Sequence, residues 1–107
     1  MANLVINGKN YDLQDFVIST MKLLLRANAI SQNELGNLQN INYCQQTFNL
    51  NFPLLSSNPS AFDTDGYHSR YYVQSTFFEH NLYLCNHWYD NNADLYLNWF
   101  LNILPNI

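Results

Sequence analysis

Ser31-Gln32-Asn33-Glu34-Leu35-Gly36-Asn37-Leu38, followed by Gln39-Asn40 and then Ile41-Asn42-Tyr43-Cys44-Gln45-Gln46-Thr47-Phe48-Asn49, is the stretch from which the fold is read. Ser31 and Glu34 have the spacing of a capping box, in which a hydroxyl and a carboxylate satisfy backbone donors that a helix start leaves without partners. A short helix is therefore predicted from Ser31 to near Leu38. Gln39-Asn40 make a turn, and Ile41, Tyr43, Cys44 and Phe48 recur at the spacing of a further helix of about two turns. Pro53, which lacks an N–H and clashes with a preceding helical turn, stops any continuation.

Upstream, Leu4-Val5-Ile6 runs into Asn7-Gly8 and Lys9-Asn10-Tyr11. Asn-Gly is the strongest short hairpin signal because both residues tolerate positive φ, so a β-ribbon opens the chain. Apolar residues at Leu13, Phe16, Val17, Met21, Leu24 and Ala27 then fall on one helical face, predicting a helix from about Asp12 to Ala27. Leu23 and Leu25 widen its apolar stripe, and Lys22 and Arg26 lie near its C-terminal end, where cations suit the helix dipole. Downstream, Ser56 to His68 holds Ser, Asn, Pro, Asp and Gly without periodicity and is expected to be the longest loop.

From Arg70 to Tyr89 the period changes to two, the pattern of a long β-hairpin. An even-length loop around Glu79 to Leu82 puts Tyr71, Val73, Phe77, Leu82, Leu84 and Trp88 on one buried face. Tyr72, Gln74, Thr76, Phe78, Tyr83, Cys85, His87 and Tyr89 then share the other. An odd loop would mix the two sets, so the even register is preferred. Asp90, Asn91 and Asn92 offer N-caps for a last helix marked by Leu95, Trp99 or Phe100, and Ile103, up to Pro105.

The 107 residues, 48% hydrophobic and 11% charged, suit one domain spanning residues 1–107 with a real core. No apolar run approaches the roughly 20 residues needed to cross a bilayer, and the start lacks the pattern of a signal peptide, so a cytoplasmic location is expected. Asn occurs eighteen times, whereas Lys9, Lys22, Arg26 and Arg70 are the only cations against eight acids, for a net charge of −4. Polarity is carried by amides, with no basic stripe to neutralise phosphates. Cys44 and Cys85 read as free thiols.

Catalytic and metal patterns are weak. Gly8, Gly36 and Gly66 build no phosphate cradle, and Cys44 with a His, or Glu79 beside His80, stands in no recognisable elbow. Cys44, spaced with Ile41 and Phe48, reads as a small core residue. His68, His80, Cys85 and His87 lack paired zinc-ligand spacing, and Asp63-Thr64-Asp65-Gly66 departs from a calcium loop after its opening. No enzyme activity, metal or cofactor is therefore expected.

Ribbon, helix, short capped helix, turn, helix, hairpin and last helix make an α+β order that resembles a winged helix of the helix-turn-helix superfamily. In that resemblance Ser31 to Leu38 is the supporting helix, with Gly36 as its small residue, Ile41 to Asn49 is the helix that enters the major groove, and Arg70 to Tyr89 is the wing. The resemblance implies DNA binding, with Asn42, Gln45, Gln46 and Asn49 able to read bases and Arg70 nearby. Against it, no Lys or Arg lies between Arg26 and Arg70 to contact phosphates. The outward hairpin face offers the competing site: Tyr72, Gln74, Phe78, Tyr83, His87 and Tyr89 form an aromatic stripe suited to a protein partner, unless the 56–67 loop or the ribbon folds over it. The expectation is a non-enzymatic module, a small acidic adaptor or inhibitor acting on a nucleic-acid-associated partner. The alternative is a sequence-specific DNA-binding regulator, dimeric through the C-terminal helix around Trp99 and Phe100.

Overall fold

The computed structural model describes residues 2–58, 71–72 and 81–107, and these form a compact α+β domain with four helices and two small antiparallel sheets. The first sheet is the ribbon read from Asn7-Gly8: β1 (Asn3–Ile6) pairs with β2 (Lys9–Asp12), Leu4 opposite Tyr11. Asn7 at φ 51° and Gly8 at φ 80° supply the left-handed pair that a two-residue turn requires. Every non-glycine residue with positive φ among those described is an asparagine: Asn7, Asn28, Asn49 and Asn81. The short amide side chain tolerates that conformation, so a chain with three glycines still has residues for its turns.

α1 (Leu13–Arg26) follows without a loop, because Asp12 ends β2 and also caps the helix, its Oδ1 accepting from the Asp15 N–H at 3.0 Å. Leu13, Val17, Met21, Leu24 and Leu25 are buried, but Leu23 is 47% exposed, so the apolar stripe is narrower there than its leucines suggest. α2 (Gln32–Asn37) is capped by Ser31, which accepts from the Glu34 N–H at 3.1 Å. The other arm of the expected capping box is diverted. The Glu34 carboxylate accepts from Tyr43 Oη at 2.5 Å, Trp99 Nε1 at 2.8 Å and Asn37 Nδ2 at 3.1 Å, joining α2 to two later helices. Burial, then this contact with Glu34, pushes the Tyr43 hydroxyl up to about 12.

α3 (Ile41–Phe48) is capped by Asn40 and ends at Asn49, which takes φ 59°. A left-handed residue therefore terminates the helix before Pro53 is reached. Cys44 is fully buried: its Sγ accepts from the Leu54 N–H at 3.2 Å and lies 3.3 Å from the Leu38 carbonyl, and burial pushes the thiol up to about 11.

The second sheet corrects the hairpin register. β3 (Leu55–Ser56), which overlaps the expected loop at its first residue, Ser56, pairs with β4 (Tyr83–Leu84), Leu55 opposite Leu84. On the other edge Tyr71 bridges Cys85, and the Tyr72 N–H donates to the Leu84 carbonyl at 2.9 Å. Odd residues therefore oppose odd residues, the register rejected above, and Tyr72 and Tyr83 lie on opposite sides. Cys85, just after β4, is fully buried rather than outward, and Leu84 is also fully buried, so simple alternation does not decide the facing of this segment. Residues 59–70 and 73–80, with the tip of the hairpin, Arg70, Gln74 and Phe78, lie outside the described residues.

A 3₁₀ turn at Asp90–Asn92 leads into α4 (Ala93–Ile103). Tyr96 is its centre, with no exposed surface, ring contacts to Phe16, Phe48, Trp88, Trp99 and Phe100, and its hydroxyl 2.7 Å from Thr20 Oγ1. Trp99 and Phe100 face this core at 7% exposure each, and Leu95, expected inside, is 38% exposed.

Candidate functional site

The segment from Cys85 to Asn92 carries the surviving part of the aromatic stripe, and two side chains fix its backbone. Trp88 turns inward, and its Nε1 donates to the Cys85 carbonyl at 2.7 Å. Asn92, 1% exposed, donates through Nδ2 to the Phe48 and Asn49 carbonyls at 2.9 and 3.0 Å and accepts the Tyr89 N–H on Oδ1 at 2.8 Å. It thereby satisfies carbonyls left over at the end of α3 and anchors the residue that carries the exposed ring.

Held this way, Tyr89 is 55% exposed. Its hydroxyl lies 2.9 Å from His87 Nε2 and the two rings meet edge to face at 4.9 Å. Phe52 also packs edge to face against His87, at 5.3 Å. A phenol, an imidazole and a phenyl ring thus form one preorganised surface cluster, and a ring already held in place loses little freedom when it anchors a contact.

Beside Tyr89 opens a groove of about 500 Å3 lined by Ala2, Gln14, Trp88, Tyr89, Asp90 and Asn91. Gln14 Nε2 donates to the Trp88 carbonyl at 3.3 Å, and Asp90 Oδ1 accepts the Asn3 N–H at 2.7 Å, closing the ribbon onto the turn. Gln14 Oε1 is buried without a hydrogen-bond partner. Compared with protein-family models, curated proteins and solved structures, the chain matches none.

The expected protein-binding residues are thus divided. His87 and Tyr89 come together; Tyr83 is half-buried on β4; Tyr72 is half-buried on the opposite side. Burial, with Cys85, Asp12 and Asp15 adding to it, raises the Tyr72 hydroxyl well above its usual value. On α3, Asn42, Gln45, Gln46 and Asn49 are all exposed, forming an amide face. Gly36 is not required by close helix packing: a Cβ there meets no atom within 4 Å. Among the described residues no three metal-ligating side chains gather, and no helix is long and apolar enough to cross a membrane. The pattern reading missed Phe52 and the role of Asn92. Phe52 carried a weak signal as an aromatic beside Pro53, but its partner lies thirty-five positions away.

Proposed function

We propose that the chain is a non-enzymatic protein-binding module, a small acidic cytoplasmic adaptor or inhibitor of a nucleic-acid-associated partner, on a winged-helix-like arrangement. The observation that carries this reading is the exposed Tyr89, braced by His87, which itself packs on Phe52, beside an open groove. Braced aromatics at a groove are the usual anchors of protein interfaces. Charge supports the order of preference, since a net charge of −4 with four cations disfavours phosphate contacts.

A second reading, sequence-specific DNA binding, is favoured by the exposed amides of Asn42, Gln45 and Gln46. One experiment separates the two: titration with random duplex DNA across a salt series. The module reading expects no binding even at low salt. Sequence-selective binding that weakens steeply with salt and is lost on replacing Gln45 and Gln46 would overturn it.

A further inference from the structure

We propose that the groove between β2 and the first turns of α1 receives an arginine side chain from a basic segment of a partner protein. This rests on the protein-binding function above and specifies the chemistry of the partner. The groove, of about 420 Å3, is lined by Asn10, Tyr11, Asp12, Asp15, Phe16 and Ser19. Tyr11 is 42% exposed and Phe16 half-buried, its ring fixed edge-on against Tyr96 and Phe100 at 6.1 and 5.7 Å. Two aromatic rings therefore line the groove, and that of Phe16 is held in place.

Its rim is anionic. Asp12 and Asp15 lie about one helical turn apart, and Asp12 spends one oxygen on the Asp15 N–H. The positive end of the α1 dipole offsets only about half a unit of this charge. After burial and Cys85, Asp12 and Asp15 also help keep the Tyr72 hydroxyl protonated. Lys9, the cation of the ribbon, pairs with Ile6 at its other end, about 10 Å along the strand from Asp12.

Aromatic rings beside two carboxylates suit guanidinium better than ammonium. Guanidinium is planar and weakly hydrated, stacks on rings, and binds carboxylate through paired N–H donors, whereas ammonium holds its water more strongly.

The test is an amide-shift titration of the labelled full chain at low salt with capped hexa-arginine, hexalysine and hexaglutamate peptides, and with random duplex DNA. Hexa-arginine should give saturable shifts confined to residues 10–19, with hexalysine roughly tenfold weaker and hexaglutamate silent. The Asp12→Asn/Asp15→Asn double variant keeps the helix cap, because asparagine caps as well as aspartate, and should weaken hexa-arginine roughly tenfold or more. Silence at residues 10–19, equal binding of hexalysine, or affinity unchanged in the double variant overturns the proposal. Concentration-dependent shifts in the same residues without peptide also overturn it, by making a second copy of the chain the occupant. DNA-induced shifts on Asn42 to Asn49 would instead overturn the protein-binding function, whereas silent DNA together with silent hexa-arginine removes only the arginine groove.

Discussion

Replacing Asn92 by aspartate changes one amide group for a carboxyl of the same shape, and the structure lets the cost be worked out. Asn92 is 1% exposed; Oδ1 accepts from the Tyr89 N–H, while Nδ2 donates to the Phe48 and Asn49 carbonyls. In Asn92→Asp the first bond survives, and the other two become contacts between a carboxylate oxygen and carbonyl oxygens. Burying that charge without compensation costs about 3–5 kcal/mol. Taking a proton at pH 7 instead, from an ordinary value near 3.9, costs about 4 kcal/mol at roughly 1.4 kcal/mol per pH unit. Both routes give about 4 kcal/mol, a large part of a typical stability of about 5–15 kcal/mol.

The protonated acid can donate to one of the two carbonyls, so at pH 4 the penalty should shrink to about 1–2 kcal/mol. The sign is that of a carboxyl raised by folding: the native state holds a proton that the unfolded state releases, and stability is lost as pH rises toward the raised value. Urea unfolding of variant and wild type, followed by tryptophan fluorescence at both pH values, reads the difference directly. Asn92→Ala, which loses the hydrogen bonds without adding charge, should show a penalty of about 3 kcal/mol with little pH dependence. Equal stability of Asn92→Asp and wild type at pH 7, or an equal penalty at pH 4 and pH 7, would refute the assigned hydrogen bonds.

Gly36→Ala should stabilise the protein by about 0.5–1 kcal/mol, since alanine suits a helix better and its methyl would meet nothing within 4 Å; a fall in the melting temperature would contradict the open surroundings of that position. At alkaline pH the native state keeps protons that the unfolded chain gives up, on Cys44 (9.0 raised to about 11) and Tyr43 (10.0 raised to about 12). Stability from these groups is therefore complete below pH 9 and declines as pH rises from 9 to 12, which a urea midpoint series measures. Glu34→Gln should lower the Tyr43 ionisation in part, as read by phenolate absorbance, because burial, the larger cause of the rise, remains while the Glu34 charge is removed.

What was legible in the sequence is what local chemistry decides. Asn7-Gly8 and the Ser31 cap act within a few residues and stand where their spacing placed them, whereas Asp12 and Asn40, read only as a helix start and part of a turn, turn out to be caps as well. The Glu34 carboxylate was misread because its nearest backbone donor competes with Tyr43 and Trp99, nine and sixty-five positions away. The hairpin register failed for a related reason. Alternation specifies facing only when one side of a strand meets water, and Leu84 and Cys85 are both buried. The aromatic stripe was half legible: His87 and Tyr89 meet, while β3 and the bridge at Tyr71 turn Cys85 inward and separate Tyr72 from Tyr83.

The bonds that tie the N-terminal part of the chain to its last part also bear on the time at which this protein can fold. Asn3 to Asp90, Gln14 to Trp88, Thr20 to Tyr96 and Ala29 to Asn106 each span between 74 and 87 positions. While the chain is being synthesised, α1 emerges with its apolar stripe and has to wait for Tyr96, the ring around which the core closes. Long-range closure of this kind slows folding and leaves early apolar surface open to association. The nascent chain is therefore the form most in need of a chaperone, and a truncation before α4 would remove the centre of the core rather than trim its edge.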